Sequence, residues 1–577
     1  MQKSRLLILM LILAFALVAC GGSDNDSDDN LTAPIDSSTN EQSQAERETN
    51  STTTNDADGA EDDVVDSIEE EPMEEELVDE AFDTTSASQP LMAVATQAPQ
   101  VGLGGVVSGE QQVTIPPTPD TMTFNNPGTN PFFDTEDDHL STFAMDVDTG
   151  SYTVARNYLT AYDQLPPEDS IRPEEFINYF DAGYETPEED AFAIYLDAAP
   201  APFGYEGHYL MRVGLQGRYI APEDRDPVFL IFVIDVSGSM DREDRLGTVK
   251  ESLALLTGEL REDDRVGIVV YSDRSRAVLE PTPASERETI MAAINALQPE
   301  GSTNVEDGLR VGYQMAESNM REGENTRVIV LSDGVANVGN TGPDSILNTI
   351  REGVDSGINL STIGFGMGNY NDTLMEQLSN DGNGNYYYVD NMREATRVFV
   401  HNLTGTLQVI GYDARVQVDF NPEVTDRYRL VGYENRAIAD EDFRNDEVDA
   451  GEVGAGHSIT ALYELALENG IEMDSDAVVA TVYIRYEDAE TREVVELSQL
   501  LTVADIMASI DDAPAMFRLQ AAVAEFSEQL RGSVWSEDNT LGDVMTLAMP
   551  LREELPDNVQ VEEFADLLEL AAQYQDR

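Results

Sequence analysis

The stretch VFLIFVIDVSGSM, residues 228–240, begins with an apolar run that is rich in β-branched residues. Residues 228–234 are apolar without interruption, and a Gly/Ser turn follows them. Such a run predicts a strand that is buried on both faces, as in a parallel sheet. Asp235, Ser237 and Ser239 then lie at the carboxyl edge of that sheet. Their oxygen atoms suit a hard divalent cation such as Mg²⁺.

The region around this stretch alternates predicted strands and helices between residues 228 and 404, which predicts an α/β fold. We expect a central, doubly wound and mainly parallel sheet that is covered on both faces by right-handed crossovers. Ligands of such sheets bind beyond the carboxyl ends of the strands. The predicted strands are 228–235, 265–272, 326–333, 358–366 and 385–390, and the predicted helices are 246–260, 285–297, 303–318, 342–354 and 372–381.

Two further polar loops are predicted at the same edge. Thr303 stands where the chain enters a predicted helix, and Asp333 ends the strand that begins at residue 326. The DxSxS pattern is a weak signal alone, but its combination with a Thr and an Asp-Gly in this order is strong. The predicted metal site therefore contains only oxygen ligands: Asp235, Ser237, Ser239, Thr303 and Asp333.

This set resembles the metal-ion-dependent adhesion site of von Willebrand factor type A domains, which are Rossmann-like. The resemblance implies that the serines and the threonine coordinate Mg²⁺ directly and that the aspartates act largely through water; Mn²⁺ or Ca²⁺ are the alternative ions. It also implies a partner protein whose Glu or Asp carboxylate completes the coordination. A purely structural metal, with water in that position, remains the alternative. Glu306 and Asp307 either weaken the positive charge offered to a partner or serve as first-turn helix residues, which is the interpretation we favour.

The flanks of this domain resemble those of a bacterial lipoprotein family of the YfbK type. The resemblance is carried by TFAMDVDTGSYTVARNYL, residues 142–159, and TGTLQVIGYDARVQVDFNP, residues 404–422, and it extends over about residues 140–577. We expect an N-terminal α+β flanking domain at 139–226, the type A domain at 227–404 and a C-terminal domain at 405–577. Short alternating runs followed by amphipathic helices predict an antiparallel sheet or sandwich and then helices in the C-terminal domain.

The N-terminus has the charge-first layout of a secretory signal, residues 1–20, although an uncleaved anchor is the alternative. Leu17-Val18-Ala19-Cys20 resembles a bacterial lipobox, which implies lipidation of Cys20. Residues 21–138 are polar and acidic, so we expect a disordered tether. The protein is therefore expected outside the cytoplasm, lipid-anchored to the cell membrane or the outer membrane.

The chain carries a formal net charge of −79, from 112 acidic and 33 basic residues. Such a surface repels phosphates, so nucleic acid is excluded as a partner. A salty environment or simple secretion would each explain the acidity. Cys20 is the only cysteine, so internal disulfides and structural Cys-zinc sites are excluded.

We find no pattern that predicts catalysis. The four histidines are far apart without HExxH spacing, and there is no GxSxG elbow, Walker A loop or dinucleotide fingerprint. We therefore predict a protein that is not an enzyme but a membrane-anchored, cation-dependent protein-binding module. The alternatives are an envelope scaffold or assembly factor with a structural metal and, less favoured, an extracytoplasmic hydrolase built from scattered carboxylates.

Overall fold

The computed structural model of the chain describes residues 122–334, 343–368 and 370–575. The predicted signal segment, Cys20 and the predicted tether up to residue 121 lie outside these residues. Among the helices described, none combines the length and the apolar character needed to cross a membrane.

The strands lie in three parts of the chain, residues 133–217, 228–389 and 409–502. In chain order they are β1 (Phe133–Asp134), β2 (Leu140–Ala144), β3 (Phe192–Pro200), β4 (His208–Gly217), β5 (Val228–Asp235), β6 (Arg265–Tyr271), β7 (Arg276–Pro283), β8 (Asn325–Ser332), β9 (Ile358–Phe365), β10 (Tyr386–Val389), β11 (Val409–Phe420), β12 (Thr425–Val431), β13 (Gly451–Gly454), β14 (Ser458–Leu467), β15 (Val478–Asp488) and β16 (Val494–Thr502).

Helices cover the faces of these sheets. They are α1 (Gly150–Ala161), α2 (Pro173–Ile177), α3 (Thr248–Glu259), α4 (Arg287–Asn295), α5 (Val305–Asn319), α6 (Pro343–Asp355), α7 (Asp372–Asn380), α8 (Met392–Thr396), α9 (Leu403–Leu407), α10 (Ala515–Leu530), α11 (Leu541–Ala548), α12 (Leu551–Glu554) and α13 (Val559–Gln575).

The central sheet has the strand order β10-β9-β8-β5-β6-β7, and β5 pairs in parallel with both β6 and β8. Every residue of β5 is buried, because one apolar cluster lies on each face of the sheet. The predicted doubly wound, mainly parallel α/β fold is therefore confirmed. The sequence did not predict β7, an antiparallel edge strand that contains Pro281 and Pro283. Proline is confined to edges and bulges because it donates no ladder hydrogen bond.

Two antiparallel sheets form a sandwich beside the central domain. One sheet has the order β1-β12-β14-β4-β3, and the other has the order β13-β11-β15-β16 with β2 also paired to β11. Apolar side chains of both sheets, such as Val213 and Val482, share one core. The sequence divides residues 139–226 and 405–577 into two flanking domains, whereas the structure joins their strands within the same sheets.

The other face of the first sheet is covered by helices. Leu210 and Leu462 of this face share a second apolar core with Phe176 of α2, Phe517 of α10 and Phe564 of α13. The flanking region thus has three layers, a helical layer and two sheets, which is a common way to bury both faces of a sheet.

The tether prediction extends too far along the chain, because residues 122–138 contact the sandwich. The Asn130 side-chain amide donates to the backbone oxygens of Leu430, at 3.1 Å, and Gly432, at 2.8 Å. The ring of Phe132 lies edge-on to Trp535, with 5.1 Å between centroids. The Asn130 amide, the Phe132 ring and the short strand β1 hold this segment, although its average composition resembles that of the tether.

Buried arginines of the flanking region contact the central domain. Arg156 of α1 donates from Nε to Asp390, at 2.8 Å, and Arg172, just before α2, donates from Nη1 to Asp372, at 2.8 Å. All four side chains are at least 96% buried. Breaking such a pair leaves an uncompensated charge in the interior, so these contacts fix the central domain against the sandwich.

Candidate metal centre

Three loops meet at the carboxyl edge of the central sheet, next to the end of β5. Backbone hydrogen bonds hold the loop of the two serines: Val236 N donates to Tyr271 O of β6, at 3.0 Å, and Gly238 N donates to Gly301 O, at 3.1 Å. The second bond joins the loop that carries the two serines to the loop that carries Thr303. The expected meeting of these loops therefore follows from parallel strands ending at one edge.

Asp235 organises the serine loop. Its Oδ1 accepts a hydrogen bond from Ser237 N, at 2.7 Å, and its Oδ2 accepts one from Ser332 Oγ, at 3.1 Å. The hydroxyls of Ser237 and Ser239 lie 2.9 Å apart. Because both oxygens of Asp235 are engaged by the protein, this carboxylate fits a role in holding the loop rather than in direct coordination.

Thr303 and Asp333 complete the set. Thr303 is buried and lies two residues beyond Gly301. Asp333 is fully buried at the end of β8, and its Oδ2 accepts a hydrogen bond from Arg245 Nη1. The same Nη1 donates to Ser239 O, at 3.0 Å, so the guanidinium places Asp333 beside the serine loop.

Burial, together with the negative charge of Asp333, raises the pKa of Asp235 to about 7. Both effects penalise the ionised carboxylate. A divalent cation near the two aspartates would oppose both effects, because it favours the charged form. The donor set of three hydroxyls and two carboxylates therefore fits a hard cation such as Mg²⁺.

Neighbouring residues orient the loop that carries Thr303, and one of them, Asp273, was not predicted from the sequence. The carboxylate of Asp273 accepts from the backbone nitrogen of Ser302, at 2.9 Å. The hydroxyl of Ser302 donates to the same carboxylate, and the two hydrogen bonds lower the pKa of Asp273. Asp307 N donates to the side chain of Asn304, at 3.2 Å, at the start of α5. Asp307 and Glu306 both lie in the first turn of α5.

Arg245 is the second residue that sequence reasoning missed. It lies in a π-helical turn, Glu243–Gly247, six residues after Ser239. It belongs to no recognised sequence motif, and it lies 88 positions from Asp333 in the chain.

Two of the four histidines, His401 and His457, line one cavity, and the other two do not. His139 contacts Asp419 and His208 contacts Glu464, in separate places on the sandwich. His457 lines a cavity of about 660 Å³ together with residues of both the central domain and the sandwich, and none of the five predicted metal residues lines that cavity. Burial lowers the pKa of His457 to about 4, which keeps this imidazole neutral near pH 7.

The fold and the arrangement of the three loops define a von Willebrand factor type A domain protein. The profile of the family "von Willebrand factor type A domain" matches residues 230–403. Members of this family are metal-dependent protein-interaction modules and are generally not catalytic, and they commonly bind a divalent cation at the adhesion site.

The flanks identify the family more closely. The profile "Uncharacterized protein YfbK, C-terminal" matches residues 405–574, and "von Willebrand factor" matches residues 118–212. "Uncharacterized protein YfbK" of Escherichia coli (strain K12) is 35% identical over 478 residues, which cover 77% of this chain and 82% of that protein. The chain belongs to the YfbK family, and the resemblance found in the sequence is confirmed.

Other similar proteins match a smaller share of the chain. "Inter-alpha-trypsin inhibitor heavy chain H4" of Homo sapiens is 31% identical over 176 residues, which cover 29% of this chain and 19% of that protein. A solved structure, "von Willebrand factor type A from Catenulispora acidiphila", is 15% identical with a TM-score of 0.40, and the match covers 65% of this chain and 89% of that one.

Proposed function

We propose that this protein is a membrane-anchored, cation-dependent protein-binding module. In this proposal Asp235, Ser237, Ser239, Thr303 and Asp333 hold Mg²⁺, and the ion captures a Glu or Asp side chain of a partner protein. The observation that carries the proposal is the hydroxyl pair of Ser237 and Ser239, 2.9 Å apart, beside the loops of Thr303 and Asp333. A cation bound by neutral hydroxyls keeps much of its positive charge and attracts a further anionic oxygen.

The roles of the protein groups follow from their contacts. Asp235 holds the backbone of Ser237, whose hydroxyl lies 2.9 Å from that of Ser239. Asp273 and Asn304 hold the loop on either side of Thr303. A loop with these supports loses little conformational freedom when it binds an ion, which favours affinity.

The N-terminal sequence supports the location that we propose. A lipid on Cys20 and the tether after it would anchor the domain outside the cytoplasm, on the cell membrane or the outer membrane. Such a tether lets the binding module search for a partner near the membrane.

The test is a crosslinking pull-down from envelope extracts in Mg²⁺ and in EDTA. We compare the native protein with the Asp333→Ala and Ser237→Ala variants, and we use Ser498→Ala, at an exposed position of β16, as the matched control. Calorimetric titration with Mg²⁺ measures loading of the same samples. We expect capture and Mg²⁺ binding in the native and control proteins, and loss of both in the two site variants.

Two results would contradict the proposal. If EDTA and both site substitutions leave capture unchanged, the cation plays no part in binding. If EDTA lowers the melting temperature but every interaction survives, the metal is structural, as in a scaffold or assembly factor.

A further inference from the structure

Arg245 occupies a buried position within the candidate metal centre. Its side chain is 6% exposed, and that of Asp333, its ion-pair partner, is fully buried. The guanidinium also donates from Nη1 to Ser239 O, at 3.0 Å, and from Nη2 to Met367 O, at 2.5 Å. It therefore touches a carboxylate and a backbone segment that both belong to the predicted metal site.

The position of this side chain is built into the surrounding backbone. Gly366 follows β9 with a φ of +70°, and a Cβ atom there would lie 2.6 Å from Cγ of Arg245. Only a residue without a side chain leaves room for the arginine at this place. Arg245 itself projects from a π-helical turn, a rare element that is frequent at functional sites.

The charges show what this contact does. Asp235 and Asp333 are both buried at the same edge, so two carboxylates share a region of low dielectric constant. Two like charges in such a region repel strongly. The guanidinium compensates Asp333, and it places a positive charge where a divalent cation is expected to act.

We propose that Arg245 is a positioning residue that serves as an internal counter-cation: it holds Asp333 in place when no divalent ion is bound, and it lowers the affinity of the site for that ion. This inference rests on the proposed metal site. A cation that enters must share Asp333 with a guanidinium or displace it, and it meets a repulsive positive charge in either case. Arg245 thereby sets the cation concentration at which the site loads.

The experiment uses the full chain and three variants. Arg245→Gln removes the charge but keeps amide donors, and Arg245→Lys keeps the charge. Arg242→Gln is the matched control, since Arg242 lies in the same loop but forms a surface pair with Asp244. Circular dichroism first establishes that each variant is folded. Melting temperature in EDTA and calorimetric titration with Mg²⁺ alone are then measured.

We expect Arg245→Gln to melt at a lower temperature in EDTA, because the buried carboxylate of Asp333 loses its ion pair with the guanidinium. Its Mg²⁺ dissociation constant should fall by about tenfold or more, because a nearby positive charge has been removed. Arg245→Lys should restore both quantities toward the native values, and Arg242→Gln should leave both unchanged. A purely structural role of Arg245 would lower the melting temperature without tightening Mg²⁺ binding.

Unchanged or weaker Mg²⁺ binding in folded Arg245→Gln would overturn the inference. If no variant binds Mg²⁺, the proposed function fails, and the melting temperatures in EDTA then decide the role of Arg245. A melting temperature that falls in Arg245→Gln and returns in Arg245→Lys would support the counter-cation role without the ion. Equal melting temperatures of Arg245→Gln and the native protein would refute it.

Discussion

Replacing Arg172 by Met removes a guanidinium that carboxylates of α2 and of the central domain share. Arg172 Nη1 lies 2.8 Å from Asp372 Oδ2, and Arg172 Nε contacts Glu175. Glu376 lies at 3.6 Å from the same Nη1. Methionine fills much of the same volume but brings no charge, so the substitution tests the ion pairs with little change in packing.

The burial of the partners sets the expected magnitude. The side chains of Glu175 and Asp372 are 0% and 1% exposed, so water cannot replace the lost guanidinium. Removing one partner of a buried ion pair costs about 3–5 kcal/mol of unfolding free energy. We expect the upper half of this range, because two fully buried carboxylates lose their compensation together. The double variant Arg172→Met/Glu175→Gln should recover part of the loss, since one of the two charges is then absent.

Urea unfolding followed by tryptophan fluorescence is the assay. Trp535 is the only tryptophan of the chain, and its Nε1 donates to Asn130 O, at 3.0 Å, so its emission reports on the sandwich. Arg427→Met is the control. Arg427 is 45% exposed and pairs with Asp426 at the surface, so its loss should cost about 1 kcal/mol or less.

The reasoning is refuted if Arg172→Met is destabilised no more than Arg427→Met. It is also refuted if Glu175→Gln adds its full cost to that of Arg172→Met, because additive effects would mean that the two residues do not interact.

Two further predictions concern pH and backbone space. Burial raises the pKa of Glu174 to about 8 from an ordinary value of 4.5, so the folded protein binds this proton more tightly and loses stability as pH rises between these values. Glu174→Gln should remove most of that loss, which amounts to up to about 5 kcal/mol of unfolding free energy between pH 5 and pH 9. Urea unfolding at both pH values measures it, and an equal loss of unfolding free energy in the native protein and the variant would contradict this prediction. Gly334 has a φ of +76°, and a Cβ atom there would lie 2.3 Å from the ring of Tyr370. Gly334→Ala should therefore cost about 2–4 kcal/mol in thermal unfolding, and more than Gly357→Ala, where φ is +82° but the space is open; equal losses would exclude the clash as the cause.

The central domain could be predicted from the sequence because its signals are local. The predicted strand 228–235 coincides with β5, and the strand predicted at 265–272 differs from β6 by a single residue. Long apolar runs of β-branched residues leave few alternatives to a buried parallel strand. Once the strand order is parallel, the loops of Ser237, Thr303 and Asp333 must lie near one another.

Contacts between distant parts of the chain could not be predicted in this way. Arg245 carries no motif, and its ion pair with Asp333 depends on a π-helical turn that propensity does not indicate. The pairing of β4 with β14 depends on which apolar faces meet in the folded molecule. Both strands alternate apolar and polar residues, a pattern that many antiparallel strands share and that does not identify a partner. Residues 122–138 were assigned to the tether because the average composition hides Asn130 and Phe132, whose side chains contact the folded region.

The split origin of the sandwich has a consequence for the order of folding. β4 leaves the ribosome with β3, but its partner β14 follows roughly 240 residues later, a delay on the order of 10–50 s at ordinary rates of synthesis. The central domain, whose strands all fall within that interval, completes its own sheet first. Until β14 is synthesised, one edge of β4 stays without its neighbour. The nascent chain must therefore be shielded from other strands during this interval, by its own negative charge or by a chaperone.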